Sequence, residues 1–429
     1  MQRTITVAAL QLAAHDLDAF DDVWPTIRDR VADTAKNGAS LIVLPEATIP
    51  AYVLGSASID MKRVERALLD LRSLAEKFCF LAVCGAVRAD GNVLYNSAVA
   101  FGPKGAVAGY ADKVFLWHFD RRWFAPGQRI APIRTDIGSI GVLVCADGRM
   151  PQVARKLVDD GAEILVMPTA WVTSGRDVSV LENVQADLLA RVRARENGVP
   201  FVAANKSGVE RGCVAYCGKS QIVAADGTVV AMASQHQPGV VTADIVLGPA
   251  RPSRAATHAP VAARARATGS TRVAITPFDA DERTTLAMEL VEATQLVAPG
   301  ADDALQALDR CVPTMAVDDA TVADPGGLVP LRRRGYRAIV WNVGQIDRAW
   351  IEPLARARAL ELRLYVVVVD RDARAFAVDP DGAIVAGTFD AFRIASFVLD
   401  PARAEATLLA PGTDVADGLE RVAALVGES

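Results

Sequence analysis

Histidine is scarce in this chain of 429 residues, which contains only four, at positions 15, 118, 236 and 258. A zinc enzyme usually gathers two or three histidines with cysteines or carboxylates at short spacings, and no such cluster occurs here. The six cysteines are too few for a disulfide framework in a chain of this length, which favours a reducing compartment. We therefore expect a cytoplasmic protein that binds no metal.

Excess positive charge and long hydrophobic runs are also lacking. The net charge of −5 and the pI near 5.6 argue against a nucleic-acid partner or an anionic membrane surface. No apolar run approaches the roughly 20 residues that cross a bilayer, and we expect no secretory signal in MQRTITVAAL, which begins an alternating strand. A content of 51% hydrophobic residues is typical of a globular protein, and the length predicts two domains.

Strand and helix patterns alternate through the first 247 residues. Residues 4–12 alternate as a strand, and residues 19–37 have the period of a helix. A capping box from Ser179 to Glu182 predicts the start of another helix, over 178–197. Strands that alternate with helices indicate a layered α/β domain.

The stretch GSIGVLVCADGR, residues 138–149, reads as a buried strand that stops at Cys145. Pro151 then begins a helical pattern, so Cys145 is expected at a sharp turn. The N–H groups that follow, beginning with that of Ala146, could face a developing oxyanion. On these residues alone, a buried cysteine that acts only as a small hydrophobic side chain is the simpler interpretation.

Two other residues change that interpretation. Glu46 comes directly after an apolar strand in LIVLPEA, where a carboxylate is costly unless it is hydrogen-bonded or has a task. Lys113 lies in the aromatic-rich loop 110–127. Together with Cys145 they form a coherent set, in which Glu46 is the base, Cys145 attacks a carbon, and Lys113 stabilises the oxyanion. A surface glutamate and an aromatic packing loop are the alternatives.

Five motifs follow one another between about residues 4 and 247: LPEA around Glu46, YADK around Lys113, WFAPG at 123–127, GVLVCADGRMP around Cys145, and PTAW at 168–171. In these motifs the chain resembles the nitrilase, or carbon–nitrogen hydrolase, superfamily. The resemblance implies an α-β-β-α sandwich, a Glu-Lys-Cys triad, no metal or organic cofactor, and subunits that pair through their α faces.

The residues after the cysteine indicate a branch of the superfamily. True nitrilases usually have tryptophan and glutamate there, whereas this chain has Ala146 and Asp147 and is more similar to aliphatic amidases and N-carbamoyl amide hydrolases. We therefore expect hydrolysis of a small-molecule carboxamide or ureido C–N bond with release of ammonia. The alternatives are a nitrilase acting on a small nitrile, a non-catalytic binding or scaffold protein of the same fold, and a Cys-His hydrolase that uses His118.

The substrate pocket is less well defined by the sequence. Asp120 stands where many members carry a second glutamate, and its shorter carboxylate could hold Lys113 or the substrate. The other candidates each have a packing or surface role as an alternative, and Arg176 could pair with a substrate carboxylate. These candidates are Tyr52, Trp117, Trp171 and Arg176.

The second half resembles a shortened, degenerate repeat of the first. EPLARARALELRLYVVVV at 352–369 parallels ADLLARVRARENGVPFVA at 186–203. The alignment puts Gly300 at the position of Glu46, and residues 316–324 contain no cysteine. A repeat without these residues predicts a non-catalytic module and one active site in the chain.

These observations predict three segments. Residues 1–247 form the catalytic sandwich, 248–271 a linker or extended arm, and 272–429 a smaller, non-catalytic nitrilase-like domain. The partner of the catalytic domain is then either a second copy, in a homo-oligomer, or the second domain, in an intrachain pseudo-dimer.

Overall fold

The computed structural model describes residues 3–427 except 57, 178, 249–268, 279–281, 294, 299–313, 318–327, 334, 345 and 390–392. Contacts divide the chain into two compact units. The first comprises Met1–Pro252, Ala410–Thr413 and Glu420–Ser429, and the second comprises Ser253–Leu409 and Asp414–Leu419. The sequence did not predict that residues beyond 409 join the first unit. Most of the predicted arm at 248–271 lies outside the described residues.

The described helices of the first unit are α1 (Phe20–Lys36), α2 (Met61–Phe78), α3 (Pro151–Asp159) and α4 (Ala190–Asn197). Its described strands are β1 (Arg3–Ala13), β2 (Leu41–Val43), β3 (Leu81–Asp90), β4 (Val93–Phe101), β5 (Val107–Asp112), β6 (Ile133–Thr135), β7 (Gly138–Val142), β8 (Ile164–Pro168), β9 (Phe201–Ala204), β10 (Lys206–Glu210), β11 (Val214–Cys217), β12 (Gln221–Val223), β13 (Val229–Met232) and β14 (Gly239–Leu247).

These strands form two sheets. The first has the order β11-β10-β1-β2-β3-β4-β5, with β14 also paired to β1, and the second has the order β13-β12-β9-β8-β7-β6. Strands β1, β2 and β3 are parallel, as are β7, β8 and β9. The ends of these parallel strands are where Glu46 and Cys145 follow in the sequence.

Alternate side chains of β1 serve two different cores. Ala8 and Leu10 pack with α1 and α2, whereas Val7 and Ala9 pack against residues of the second sheet. Helices α3 and α4 contact the second sheet through β7, β9 and β12. The first unit is therefore the predicted α-β-β-α sandwich.

The helix predicted over 178–197 begins later than expected. Residues 179–183 are not helical, a π-helical turn spans Gln185–Leu189, and α4 continues it. The side chain of Asn183 accepts hydrogen bonds from the N–H groups of Gln185 and Ala186, so Asn183 caps this helix. The capping box predicted for Ser179 and Glu182 was therefore wrong, because Glu182 instead pairs with Arg176.

The described helices of the second unit are α5 (Glu282–Leu290), α6 (Val329–Arg333), α7 (Arg348–Leu362) and α8 (Pro401–Glu405). Its described strands are β15 (Thr271–Ile275), β16 (Gln295–Val297), β17 (Thr314–Val317), β18 (Ala338–Val343), β19 (Tyr365–Val369), β20 (Ala375–Val378), β21 (Ile384–Gly387) and β22 (Ala395–Leu399). They form a sheet β16-β15-β22 and a sheet β17-β18-β19-β20-β21. The short pair β23 (Leu408–Ala410) and β24 (Thr413–Asp414) and the helix α9 (Val415–Val426) follow.

In the described parts of the chain, every helix is too short or too polar to cross a membrane.

Gly85 in β3 lets the loop that carries Glu46 pass close to the sheet. A Cβ atom at this position would lie 2.4 Å from the Glu46 Cα, the Ala47 N and the Pro45 O. We expect Gly85→Ala to lower the free energy of unfolding by about 1–3 kcal/mol, because backbone must move to accept the methyl group. Urea denaturation measures this.

Gly102→Ala is the matched control, because its Cβ would meet only the Ala106 O, at 3.9 Å. Equal stability of the two variants would contradict the packing argument.

Candidate active site

Glu46 follows β2 with its side chain fully buried. Its Oε1 accepts hydrogen bonds from Lys113 Nζ and Asn96 Nδ2, both at 2.7 Å. Its Oε2 is buried and has no hydrogen-bond partner among the described residues. One oxygen therefore orients the carboxylate, and the other is left to accept a proton.

Lys113 follows β5 and is also fully buried. Its Nζ lies 2.7 Å from Glu46 Oε1 and 2.6 Å from Asp120 Oδ2. Burial alone would lower the pKa of Lys113, but the carboxylates of Asp120 and Glu46 outweigh it and hold the pKa well above its usual value. Lys113 is therefore a fixed positive charge between two carboxylates.

Cys145 begins a short 3-10 turn, Cys145–Arg149, directly after the strand region of β7. Its φ is +45°, a left-handed conformation that costs roughly 1–2 kcal/mol for a residue with a Cβ. Burial, followed by the charge of Glu46, raises the pKa of the Cys145 thiol, and Lys113 opposes this rise. The resting thiol is neutral, so it needs a base when it attacks.

Asp147 joins the turn of Cys145 to the segment after Lys113. Its Oδ1 accepts from the N–H groups of Val114 at 3.0 Å and Phe115 at 2.8 Å, and its Oδ2 accepts from that of Val144 at 3.0 Å. Burial raises its pKa to about 7 although these bonds oppose the rise. In the sequence, Asp147 indicated only the branch of the superfamily. In the structure, its carboxylate positions the backbone around Cys145 and after Lys113.

Glu46, Lys113 and Asp120 meet directly, and both Glu46 and Lys113 act electrostatically on the Cys145 thiol. Such a set can take a proton from a thiol, stabilise an anion, and return the proton to a leaving group. In the part of the chain that the structure describes, no group of three or more His, Cys, Asp or Glu side chains could hold a metal ion.

The predicted pocket residues differ in where they lie. Tyr52 is buried, and its ring centroid is 5.8 Å from Lys113 Nζ. Trp171 is buried, and the described residues offer its Nε1 no hydrogen-bond partner. Trp117 donates its backbone N–H to Asp120 Oδ2 at 2.9 Å. Ala146 is buried beside Cys145, and its role at the oxyanion stays a prediction.

Among the described residues, no side-chain hydrogen bond, ion pair or ring contact joins Arg176 or His118 to Glu46, Lys113 or Cys145. Arg176 is exposed and forms an ion pair with Glu182 at 2.8 Å. The His118 ring packs against that of Phe119, with centroids 5.0 Å apart. Arg176 as a substrate ligand and His118 as a catalytic base stay predictions without support from this geometry.

Two residues at the site were missed by the sequence reasoning. Asn96 lies on β4 as a buried amide in an otherwise apolar stretch, which was the only signal that it binds Glu46. Arg149 has its guanidinium 4.7 Å from the Trp117 ring centroid, and no hydrogen bond or ion pair joins it to another described residue. Burial lowers the pKa of Arg149 to about 10. The spacing C-x-D-x-R was the signal for Arg149.

A second buried cluster lies next to the site. Lys206 Nζ is 3.2 Å from Glu210 Oε2, which also accepts from the Tyr216 hydroxyl at 2.7 Å. Glu210 Oε1 accepts from the N–H groups of Tyr52 and Val53 at 3.0 Å and 2.6 Å. This cluster fixes the backbone of Tyr52, whose ring lies equally close to Lys113 and Lys206, 5.8 Å from each Nζ.

Replacing Asp120 with Asn removes one of the two carboxylates that raise the pKa of Lys113. Its pKa should fall, so Lys113 should lose its proton at lower pH and the alkaline limb of the kcat/KM profile should move down by about 1–3 pH units. Hydrolysis rates measured between pH 6 and pH 11 report this shift.

The matched control is Asp160→Asn, because Asp160 forms a surface pair with Lys156 at the similar distance of 2.7 Å. An unchanged alkaline limb in Asp120→Asn would mean that Asp120 does not hold the charge of Lys113.

Comparison with known proteins gives the same family as the motifs. The family model described as carbon–nitrogen hydrolase matches residues 6–255. A nitrilase of Pyrococcus abyssi is 30% identical over 250 residues, which are 57% of this chain and 90% of that protein. A citrullinase of Francisella tularensis is 27% identical over 258 residues, which are 56% of this chain and 88% of that protein.

Solved structures agree with the fold. A double mutant of the amidase from Nesterenkonia sp. AN1 in complex with acrylamide is 25% identical and superposes with a TM-score of 0.51. The match covers 56% of this chain and 90% of the amidase. The family model spans more than half of the chain, and the chain therefore belongs to the carbon–nitrogen hydrolase family.

Proposed function

We propose that this carbon–nitrogen hydrolase is an amidase or N-carbamoyl amide hydrolase, which cleaves a carboxamide or ureido C–N bond through a Cys145 thioester and releases ammonia. The proposal rests on the different surroundings of the two carboxylate oxygens of Glu46. Its Oε1 is occupied by Lys113 and Asn96, whereas its Oε2 has no partner among the described residues. A buried carboxylate held in this way beside a neutral thiol is suited to act as a general base.

In the first step, Cys145 Sγ attacks the carbonyl carbon while its proton passes to Glu46 Oε2. The oxyanion that forms is stabilised by Lys113 and by the N–H of Ala146. The same proton then moves from Glu46 to the leaving nitrogen as the C–N bond breaks. The products of this step are ammonia and a thioester on Cys145.

In the second step, Glu46 takes a proton from a water molecule, which attacks the thioester carbon. The tetrahedral intermediate collapses, the C–S bond breaks, and Glu46 returns the proton to the sulfur. An acid leaves the site, or a carbamic acid when the substrate is a ureide. Cys145 and Glu46 regain their starting protonation states, so no cofactor is needed for the cycle.

The names of the relatives support either substrate class. The Nesterenkonia protein is called an amidase, and the Francisella protein is called a citrullinase, which is a name for a hydrolase of a ureido amino acid. The Pyrococcus relative is called a nitrilase, which keeps nitrile hydrolysis as the second candidate. Ala146 and Asp147 after the cysteine favour the amide.

We also infer that the second unit is a degenerate repeat of the first, as the motifs predict. In support, β17-β18-β19-β20-β21 has the same sequence of two parallel and two antiparallel pairings as β7-β8-β9-β12-β13. The buried ion pair between Arg193 and Glu196 has a counterpart between Arg358 and Glu361. Both pairs join residues three apart on the helix before the last parallel strand.

The strand register aligns the two halves at the nucleophile. Val142 pairs with Val166 in the first unit, as Thr314 pairs with Val340 in the second. Three residues farther along, Val317 corresponds to Cys145. Gly300, which corresponds to Glu46 in the sequence, lies outside the described residues. A valine at the nucleophile position supports a non-catalytic second unit, and its role as an internal dimer partner stays a prediction.

The function is tested by ammonia release from a panel of carboxamides, carbamoyl amino acids and nitriles. We expect an amide or ureide to be hydrolysed, and we expect Cys145→Ala and Glu46→Gln each to reduce kcat by at least about 100-fold, since they remove the nucleophile and the base. Hydroxylamine added to the reaction would trap the thioester as a hydroxamic acid, which reports the acyl-enzyme.

Cys84→Ala is the matched control, because Cys84 is also buried with a raised thiol pKa but lies in the core of the first sheet. Turnover of nitriles alone would select the nitrilase candidate. Absence of Cys145-dependent turnover across the panel would select a binding or scaffold protein.

Arg149 favours substrates that carry a carboxylate. It lies in the same turn as Cys145, it stacks on Trp117 of the loop after Lys113, and it lacks an acidic partner in the described part of the chain. A guanidinium in this state can bind a carboxylate through two hydrogen bonds. We therefore propose carbamoyl or amide derivatives of amino acids as the preferred substrates.

Replacing Arg149 with Met keeps the stacking surface and removes the charge. We expect KM for a carbamoyl amino acid to rise about 10- to 150-fold, the equivalent of one charged hydrogen bond, with a much smaller change for a neutral amide. Steady-state kinetics on the two substrates measures the difference, and Arg72→Met, an exposed arginine on α2, serves as the control. Equal losses on both substrates would contradict the carboxylate role.

A further inference from the structure

We propose that Arg421 and Thr413 are positioning residues for the reaction. They fix the segment from Lys113 to Gly127, here called the lysine loop, so that Lys113 and Asp120 meet Glu46. This inference rests on the proposed function, because it assigns Lys113 its part in the chemistry. Both residues belong to the segments Ala410–Thr413 and Glu420–Ser429, which are part of the first unit.

Val114, the residue that follows Lys113, is held at both its N–H and its carbonyl. The Val114 N–H donates to Asp147 Oδ1 at 3.0 Å, which ties it to the turn of Cys145. The Val114 carbonyl accepts from Arg421 Nε at 3.2 Å. The Phe115 N–H, which shares a peptide plane with the Val114 carbonyl, also donates to Asp147 Oδ1, at 2.8 Å. Asp147 and Arg421 therefore fix the two peptides that flank Val114, and with them the backbone that directs the Lys113 side chain.

The same guanidinium also binds the far end of the lysine loop. Arg421 Nη2 donates to the Gly127 carbonyl at 2.7 Å and to the Pro126 carbonyl at 3.5 Å. The Gly127 N–H in turn donates to the Lys113 carbonyl at 2.8 Å. A Cβ at Gly127 would lie 2.4 Å from the Asp112 carbonyl, so the two ends of the loop are in close contact. One side chain thus clamps both ends.

Thr413 holds the middle of the lysine loop. The His118 N–H donates to Thr413 Oγ1 at 2.6 Å, and His118 has a left-handed φ of +45°. The adjacent Trp117 N–H donates to Asp120 Oδ2, the oxygen that lies 2.6 Å from Lys113 Nζ. A threonine that fixes the strained residue between Trp117 and Asp120 therefore fixes the carboxylate that pairs with Lys113.

The lysine loop has little regular structure of its own to replace these bonds, because its described part contains only the 3-10 turn His118–Arg122. Lys113 is fully buried, so a small shift would separate its charge from Glu46 or Asp120 without access to water. Positioning errors of about 1 Å at a reacting group can reduce a rate about 100-fold. The bonds from Arg421 and Thr413 are therefore expected to affect the rate more than the stability.

The test uses the full chain with Arg421→Met, Arg421→Lys and Thr413→Val. We expect Arg421→Met to lower kcat about 10- to 100-fold while KM changes less than about threefold, because the lysine loop loses both clamped ends. Arg421→Lys should recover part of kcat, since one ammonium can reach one carbonyl but cannot bridge two. Hydrogen exchange of the loop amides should quicken in all three variants, and that of His118 most in Thr413→Val.

Arg3→Met is the matched control, because Arg3 also donates twice to a carbonyl, that of Ile137, at 3.0 Å and 2.6 Å. It should lower the unfolding midpoint at least as much as Arg421→Met and leave kcat unchanged. Unchanged kcat in Arg421→Met, or a kcat loss in Arg3→Met that matches its loss of stability, would overturn the inference.

The readouts separate this inference from the proposed function. If no substrate is turned over by the wild type, the rate of Cys145 alkylation by iodoacetamide and the exchange of the loop amides still report the lysine loop. Altered values of both in Arg421→Met, but not in Arg3→Met, would support positioning while the hydrolase proposal fails. Unchanged values would overturn the positioning role whatever the activity.

Discussion

The structure depends on one buried ammonium between two carboxylates. Lys113 Nζ lies 2.7 Å from Glu46 and 2.6 Å from Asp120, and all three side chains are shut off from water. Removing Lys113 would leave two carboxylates buried without their cation, and loss of one partner of a buried ion pair typically costs about 3–5 kcal/mol. For this cluster to exist, the fold has to bring the loop after β2 and the lysine loop within hydrogen-bond distance of each other.

Each of the two sheets contributes one residue of the predicted catalytic set from the end of a parallel strand. Glu46 follows β2 and Cys145 follows the region of β7, so both leave parallel strands at their carboxyl ends. The close approach permitted by Gly85 and the three N–H bonds to Asp147 then adjust the loops over shorter distances. The strained φ of Cys145 is balanced by these contacts and keeps its thiol at the turn.

The sequence predicted site residues where a charged or thiol side chain stands next to apolar residues, because such a side chain is costly there without a role. A carboxylate after an apolar strand and a lysine among aromatics predicted the pair Glu46 and Lys113, which lie 2.7 Å apart, and the catalytic role of Cys145 with them stays a prediction. The sequence was uninformative where tertiary contacts decide. Asn183 caps a helix that Ser179 and Glu182 were expected to begin, because Glu182 pairs with Arg176 instead. Arg421 carried no signal, since its partners are carbonyl groups, which every residue has.

The first unit is built from segments that are far apart in the sequence, and this affects when it is completed during translation. Arg421 binds Gly127 across 294 residues of sequence, so at 5–20 residues per second a ribosome adds it roughly 15–60 s after Gly127. During that interval the nascent chain already contains Glu46, Lys113 and Cys145, but its loop carbonyls lack their last donor. If Arg421 and Thr413 position the lysine loop, full activity is reached only after the last residues are added, and truncated products that stop before residue 410 have a reduced kcat.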